Sequence, residues 1–264
     1  LSPLGTLMWC FSSFSSKDSS VNFSITSFLT LKRSRLSKGG HIRNILGSLR
    51  EDENIVSIMP LSKELMENPE GKYLLFATHL GLIKKTRLGE YVRINKNGKY
   101  ALRFKLEGDK LVNVRSGTDD SDIVMISSSG FASRFACSNI RASGRVSAGV
   151  WGIKTGNRKG ADGGHVVSMI ATDDYDTQIL TITRNGMAKR SRLGTSEKIA
   201  SLDMEGNHKT DNNTGELMFK TDGYRKTRPG AKGVYTMHVD EKDAIISATH
   251  IPDLRDNIFL LTKK

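Results

Sequence analysis

The chain has 264 residues, enough for one large or two ordinary domains, and 40 Lys and Arg against 28 Asp and Glu leave a net charge of +12. That charge points to a polyanionic partner, nucleic acid or an anionic membrane face. No apolar run approaches the roughly 20 residues of a membrane-spanning helix. Two distant cysteines, Cys10 and Cys137, exclude a disulfide framework and a cysteine zinc site and fit a reducing compartment.

In chain order, residues 1–31 come first, with short apolar patches broken by serines. No basic segment precedes these patches, so they do not read as a signal peptide. The chain opens on Leu1 rather than methionine and ends in a strand-like "DNIFLLTKK", and it reads as a piece of something longer. "GGHIRNILGSLREDENIVSIMPL" (Gly39 to Leu61) closes a degenerate first unit over residues 1–62. "LSKELMENP" (Leu61 to Pro69) follows as a helical turn or two.

A clearer repeat then sets in. An apolar strand, a turn glycine, a second strand and a basic tip occur at "YLLFATHLGLIKKTRL" (Tyr73 to Leu88), "DIVMISSSGFASRFACSNI" (Asp122 to Ile140) and "QILTITRNGMAKRSRL" (Gln178 to Leu193). The turn glycines Gly81, Gly130 and Gly186 recur at intervals of about 50 residues, the period of propellers and arrays. A second half-motif, glycine, strand, acidic or glycine turn, strand, occurs at "GKYALRFKLEGDKLVNV", "GVWGIKTGNRKGADGGHVVSMI" and "GVYTMHVDEKDAIISATHI". Units are expected at 70–121, 122–172 and 173–251, with a further one begun in 252–264. The runs "LLFAT", "IVMIS" and "ILTIT" are apolar almost throughout, as in strands buried between neighbouring sheets. Hairpin after hairpin of this kind predicts an all-β, propeller-like domain of four-stranded units, roughly four and the start of another. Residues 195–223, inside the fourth unit, carry six acids against three lysines and no periodicity, and are expected to form a mobile surface loop. "GNRKGADGG" (Gly156 to Gly164) widens a hairpin in the third unit.

Catalytic constellations are absent from the pattern. The six histidines are scattered without metal-ligand spacing. "GADGG" and "GTDD" lack the Gly-Lys-Ser/Thr ending and the helix of a phosphate loop. "DEKD" (Asp240 to Asp243) and "REDEN" (Arg50 to Asn54) read as solvated hairpin turns.

The positive signal is the return of basic residues at one phase of each repeat. They are Arg33, Arg35 and Lys38 in the first unit, Lys84, Lys85 and Arg87 in the second, and Arg134 with Arg141 and Arg145 in the third. The fourth unit has Lys189, Arg190 and Arg192, then Arg225, Lys226, Arg228 and Lys232. Solubility alone does not require such a phase. A radial repeat places equivalent positions at one rim, and a band of charge with few aromatics suits phosphate contact along a duplex. The alternative from another class is a propeller-like scaffold that binds acidic proteins through the same rim.

The motifs "LLFATHLGLIKKTRLGEY", "GDKLVNVRSGTDDSDIVMISSSGFASRF", "SNIRASGRVSAGVWGIK", "ILTITRNGMAKRSRL" and "RPGAKGV" resemble, in order, the C-terminal DNA-wrapping domain of the DNA gyrase A protein, of the type IIA topoisomerase family. The corresponding protein of topoisomerase IV has a similar but more degenerate domain and is the alternative parent. The resemblance implies a β-pinwheel whose blades exchange strands and whose basic rim wraps duplex DNA, here as an incomplete disc. It also implies partners, the rest of gyrase A together with gyrase B in an A2B2 complex, and a cytoplasmic, chromosome-associated setting without a membrane. ATP and Mg2+ would belong to other parts of that enzyme, which introduces negative supercoils. This chain would bind no cofactor or metal and cleave nothing. The gyrase box, a Gln-Arg-Arg-Gly-Gly-Lys-Gly-like heptapeptide, is not in this sequence, where "SKGG" and "RPGAKG" only echo it. Motif order places the chain from the family's second blade to its sixth.

Overall fold

The structure is a computed structural model that describes residues 6–13, 20–27, 53–92, 99–155, 164–251 and the single positions 253, 255 and 258. The hairpin β1 (Thr6–Ser13) and β2 (Ser20–Ser27) is followed by β3 (Glu53–Leu61), the one-turn helix α1 (Lys63–Glu67), and the hairpin β4 (Tyr73–Thr78) and β5 (Leu82–Arg87). Next come β6 (Lys99–Arg103), β7 (Leu111–Gly117), the hairpin β8 (Asp122–Ser127) and β9 (Phe131–Ala136), β10 (Val150–Trp151) and β11 (Val166–Thr172). The last group is the hairpin β12 (Gln178–Thr183) and β13 (Ala188–Arg192), β14 (Lys198–Ala200), β15 (Phe219–Thr221), β16 (Val234–Tyr235) and β17 (Ile245–Ile251). Ser62 caps α1, its hydroxyl accepting from the Leu65 amide at 3.2 Å, so the expected helical turn is present.

The strands pair antiparallel in the orders β3-β1-β2-β6, β10-β5-β4-β7, β11-β8-β9-β16 and β13-β12-β17. The serine-rich start therefore forms a hairpin inside a four-stranded sheet. In the first three sheets the outer strand arrives from further along the chain. β6 follows the β4–β5 hairpin yet pairs with β2, β10 follows β8–β9 yet pairs with β5, and β16 follows β12–β13 yet pairs with β9. The sheets consequently do not coincide with the contiguous spans 70–121, 122–172 and 173–251, because each span lends its outer strand backwards. β13 is the edge of its sheet among the described residues.

Glycine makes this lending possible. Gly149 and Gly233, directly before β10 and β16, have φ of +83° and +79°. A Cβ on Gly149 would stand 2.5 Å from the Ile83 carbonyl oxygen, and one on Gly233 would overlap the Ala132 carbonyl. Only a residue without a side chain enters there.

The core lies between successive sheets. One cluster joins Met59 and Leu61 to Phe76, Ala101 and Val114, a second joins Leu75 and Ile83 to Met125 and Phe135, and a third joins Val124 and Ile126 to Ile179 and Ala248. Every residue of β8 is buried because sheets cover both of its faces, whereas β12 alternates between buried and half-buried. Each fully buried Leu, Ile, Val or Phe contributes about 1.5–3 kcal/mol. β7 packs on β3 and β11, and β11 on β17, which ties the sheets in series.

Two expectations are corrected. Residues 195–223 form a strand-paired ribbon rather than a loop without secondary structure. β14 pairs with β15, the bridges Leu202–His208 and Thr210–Leu217 extend the pairing, and Asp203 and Asp211 close the turns by accepting backbone amides. Local side-chain to backbone bonds supply order that hydrophobic periodicity does not report. The "DEKD" turn is not simply solvated either. Asp243 is buried, its carboxylate accepting from the amides of Asn185 and Ala244 at 3.1 and 2.8 Å, and Asp109 does the same for Leu80 and Lys110, both at 2.9 Å. Each aspartate thus locks the neighbouring hairpin turn. Of "REDEN", Arg50 to Asp52 lie outside the described residues, as do most of "GNRKGADGG" and nearly all of 252–264. The five-residue α1 is the only α-helix among the described residues, and none there is long and apolar enough to cross a membrane.

Candidate nucleic-acid interface

The basic tips share one alignment after their turn glycines: Lys84, Ser133 and Lys189 three residues on, Lys85, Arg134 and Arg190 four residues on. Their environments differ sharply. β5 and β9 each have an outer strand alongside and are buried, while β13 has none among the described residues and is exposed.

Lys84, Lys85 and Arg134 therefore do not stand on the rim where the repeat phase puts them. All three are at most 3% exposed. Lys84 Nζ donates to the Ala101 carbonyl at 2.5 Å and to the Arg145 carbonyl. Burial pushes its ammonium down to about 7, with Glu90 opposing and Arg145 adding to the shift. Lys85 pairs with Asp119, donates to the Cys137 carbonyl at 3.1 Å and lies 4.0 Å from the Tyr73 ring centroid. The hydrogen bond from Lys85 holds the Asp119 carboxyl below its usual range.

Arg134 is more heavily committed. Nε and Nη2 donate to Asp122 Oδ2 at 2.9 and 2.5 Å, and Nη1 donates to the carbonyls of Leu193, Gly194 and Tyr224 at 2.8, 2.8 and 2.9 Å. It fastens the end of β13 and the start of the loop at 225–233. Lys84 likewise holds the loop at 141–149. These buried cations anchor loops that carry other cations.

Those loops hold the accessible charge. Arg141 is exposed, and Arg145 is part-exposed and lies 3.4 Å from Glu90. Arg225, Lys226, Arg228 and Lys232 are exposed in the loop before β16. Lys226 Nζ also reaches Asp122 at 3.0 Å, and Lys232 lies 5.7 Å from the Phe131 ring centroid. Arg87, Lys189, Arg190 and Arg192 are exposed as well, with Lys189 donating to the Thr236 carbonyl at 2.9 Å. Arg192 pairs with Asp176 at 2.8 Å and with Asp222 at 3.5 Å. Arg33, Arg35 and Lys38 lie outside the described residues.

Arg103 and Lys154 are exposed cations next to the basic loops that the repeat phase does not predict. The Arg103 amide donates to the Ser147 carbonyl at 3.3 Å, and the Lys154 amide to the Ala231 carbonyl at 3.4 Å, which sets the backbone of each residue beside a basic loop. Each belongs to the second half-motif, at a different phase from the basic tips. Among the described residues no group of three or more His, Cys, Asp or Glu is arranged to hold a metal.

The model of the DNA gyrase C-terminal domain, beta-propeller family matches residues 72–116, 121–173, 177–195 and 217–252, which leaves most of the ribbon unmatched. The DNA gyrase A protein of Deinococcus deserti is 30% identical over 239 residues, 81% of this chain and 28% of that protein. That of Staphylococcus epidermidis is 40% identical over 159 residues, 60% of this chain and 17% of that protein. The chain thus spans less than a third of the length of these relatives. Among solved structures, the C-terminal domain of DNA topoisomerase IV aligns with a TM-score of 0.58 at 21% identity, covering 94% of this chain and 79% of that one. A DNA gyrase A C-terminal domain aligns with a TM-score of 0.55 at 17% identity, covering 95% and 83%. At these identities the structures speak to the fold, an all-β assembly of three- and four-stranded antiparallel sheets.

Proposed function

Because the chain belongs to the DNA gyrase C-terminal domain family, we propose that it binds duplex DNA along a basic rim and wraps it, as a β-pinwheel of four blades and the start of a fifth. The observation that carries this reading is the exchanged strand. A basic loop runs into each of β10 and β16, so the architecture that closes one sheet also sets a patch of cations at its outer edge. The basic run of Arg33, Arg35 and Lys38 would add further phosphate contacts.

Bending 20 to 30 base pairs by 40 to 90° costs on the order of 1 to 6 kcal/mol, so contacts must be spread along the path rather than gathered at one point. Patches on successive sheets meet that need. If about 6 to 10 phosphates are neutralised, affinity falls roughly 10³- to 10⁵-fold between 50 and 200 mM salt.

Within the whole enzyme, the domain would present the wrapped segment for passage by the rest of gyrase A and by gyrase B in an A2B2 complex. ATP hydrolysis, Mg2+ and strand cleavage would reside there, in the bacterial cytoplasm with the chromosome. The test is to seal nicked circular DNA with ligase in the presence of the chain and measure linking number after deproteinisation. A shift that grows with protein concentration supports chiral wrapping. Retarded DNA with no shift would mean binding without a fixed hand, as in a topoisomerase IV-like domain. An absence of retardation alongside tight binding to an acidic protein would replace the reading with the scaffold alternative.

A further inference from the structure

The outer strands carry a feature that charge does not explain. Two residues into each lent segment, counting from its glycine, stands a large aromatic: Tyr100 after Gly98, Trp151 after Gly149 and Tyr235 after Gly233. All three are exposed, at 46%, 41% and 67%. A single exposed aromatic is ordinary, but three at the same phase of a repeat occupy equivalent places on three sheets, always on the outermost strand.

The surroundings of Tyr235 and Trp151 are basic. Tyr235 borders a cavity of about 530 Å³ lined also by Lys189, Arg192 and Arg225, and its ring is braced by Phe131 with centroids 4.1 Å apart. Trp151 lies against Gly230, which stands in a loop that also carries Arg228 and Lys232. Lys154 follows three residues later, as Arg103 follows Tyr100.

We propose that Tyr100, Trp151 and Tyr235 are the non-electrostatic contacts of the rim, aromatic faces that lie against the sugars and bases of bent duplex DNA between the phosphates held by the basic loops. This rests on the DNA-binding reading and deepens it. A flat ring has no charge to release counterions, so its contribution does not depend on salt, while each phosphate contact does. Bent DNA opens its base steps and sugar edges to apolar side chains, and an aromatic ring stacked on a base is lost at a measurable cost in affinity. Proteins with an apolar or aromatic-binding surface are the other occupant such rings could serve, but the cations beside Tyr235 and on the loop against Trp151 favour a polyanion.

The experiment reads affinity and salt slope together. In the full chain, Trp151→Ala is expected to weaken duplex binding about 5-fold or more while leaving the slope of log K against log salt unchanged, and Trp151→Phe restores most of the loss. Tyr235→Ala behaves alike and serves as a second site. Trp9 and Trp151 are the two tryptophans, so in a Trp9→Phe chain the fluorescence of Trp151 is expected to be quenched as duplex is added. Unchanged affinity in both alanine variants, or unquenched Trp151 in a complex that retards DNA, overturns this proposal and leaves the DNA-binding reading standing. A wild-type chain that retards no DNA overturns both.

Discussion

Arg134 and Asp122 form an ion pair sealed from solvent: Nη2 lies 2.5 Å from Oδ2, and the two side chains are 0% and 1% exposed. Lys226 approaches the same carboxylate at 3.0 Å from outside, so one aspartate joins a buried anchor to a surface cation. Asp122→Ala leaves a buried guanidinium without its partner and is expected to lower stability by about 3–5 kcal/mol in urea unfolding. The double variant Asp122→Leu with Arg134→Met should recover part of that loss, because it removes the uncompensated charge. A loss no smaller in the double variant would show that the carbonyl contacts of Arg134, not the pair, hold the fold.

Lys84 makes stability depend on pH. Unfolded, the amine keeps its proton up to about 10.5; folded, it releases it near 7. Between those values the unfolded state binds more protons, so stability rises with pH across that window and is flat in this respect below it. Lys84→Met should abolish that share of the rise. Identical pH profiles of urea midpoints in the two proteins would mean that Lys84 stays charged in place.

The cations that remain accessible should govern the salt response. Arg190→Ala and Arg225→Ala are each expected to lower the slope of log K against log salt by roughly 0.9, the share of one phosphate. Lys85→Met should leave it unchanged, since Lys85 is buried against Asp119. A drop in slope for Lys85 comparable to that for Arg190 would return the buried lysine to the interface.

The ribbon adds acidic charge beside this surface without serving the core. No residue of 195–223 belongs to any of the three apolar clusters, so replacing 199–219 with a short turn should leave the melting temperature nearly unchanged. Duplex binding should tighten at low salt, because Asp203, Glu205, Asp211 and Glu216 leave with the ribbon against only Lys209. Equal binding with and without it would make the ribbon electrostatically passive.

Gly149→Ala is expected to destabilise the chain by more than the roughly 1–3 kcal/mol typical of a strained backbone, since φ is +83° and the new Cβ meets the Ile83 carbonyl. Gly71→Ala is the control. It shares a positive φ of +65°, but nothing lies within 4 Å of its Cβ, so strain acts alone. Equal losses at the two positions would argue that close approach at β10 is not what requires glycine.

What local chemistry writes into the chain was legible. The alternation of strand and glycine turn located the hairpins β4–β5, β8–β9 and β12–β13, and the turn glycines Gly81, Gly130 and Gly186 all take φ above +80°. The net charge and the ordered motifs pointed to the family. Less legible were the ribbon, whose pairing is closed by Asp203 and Asp211 accepting nearby amides, and Arg103 and Lys154, which sit outside the repeated basic tips.

The fate of the basic tips was not in the sequence at all. "GLIKKTRL" and "GMAKRSRL" are nearly the same text, yet Lys85 is buried and Arg190 is exposed. The sequence by itself determined the all-β repeat, the hairpin turns and the basic balance, because these follow from residue spacing and short-range backbone preference. Tertiary structure alone decided which cations face solvent. That depends on whether a segment lent from far along the chain lies beside the tip, as the loop into β10 does where the Ser143 amide donates to the Lys85 carbonyl, and a burial set by so distant a segment leaves no mark on the tip itself.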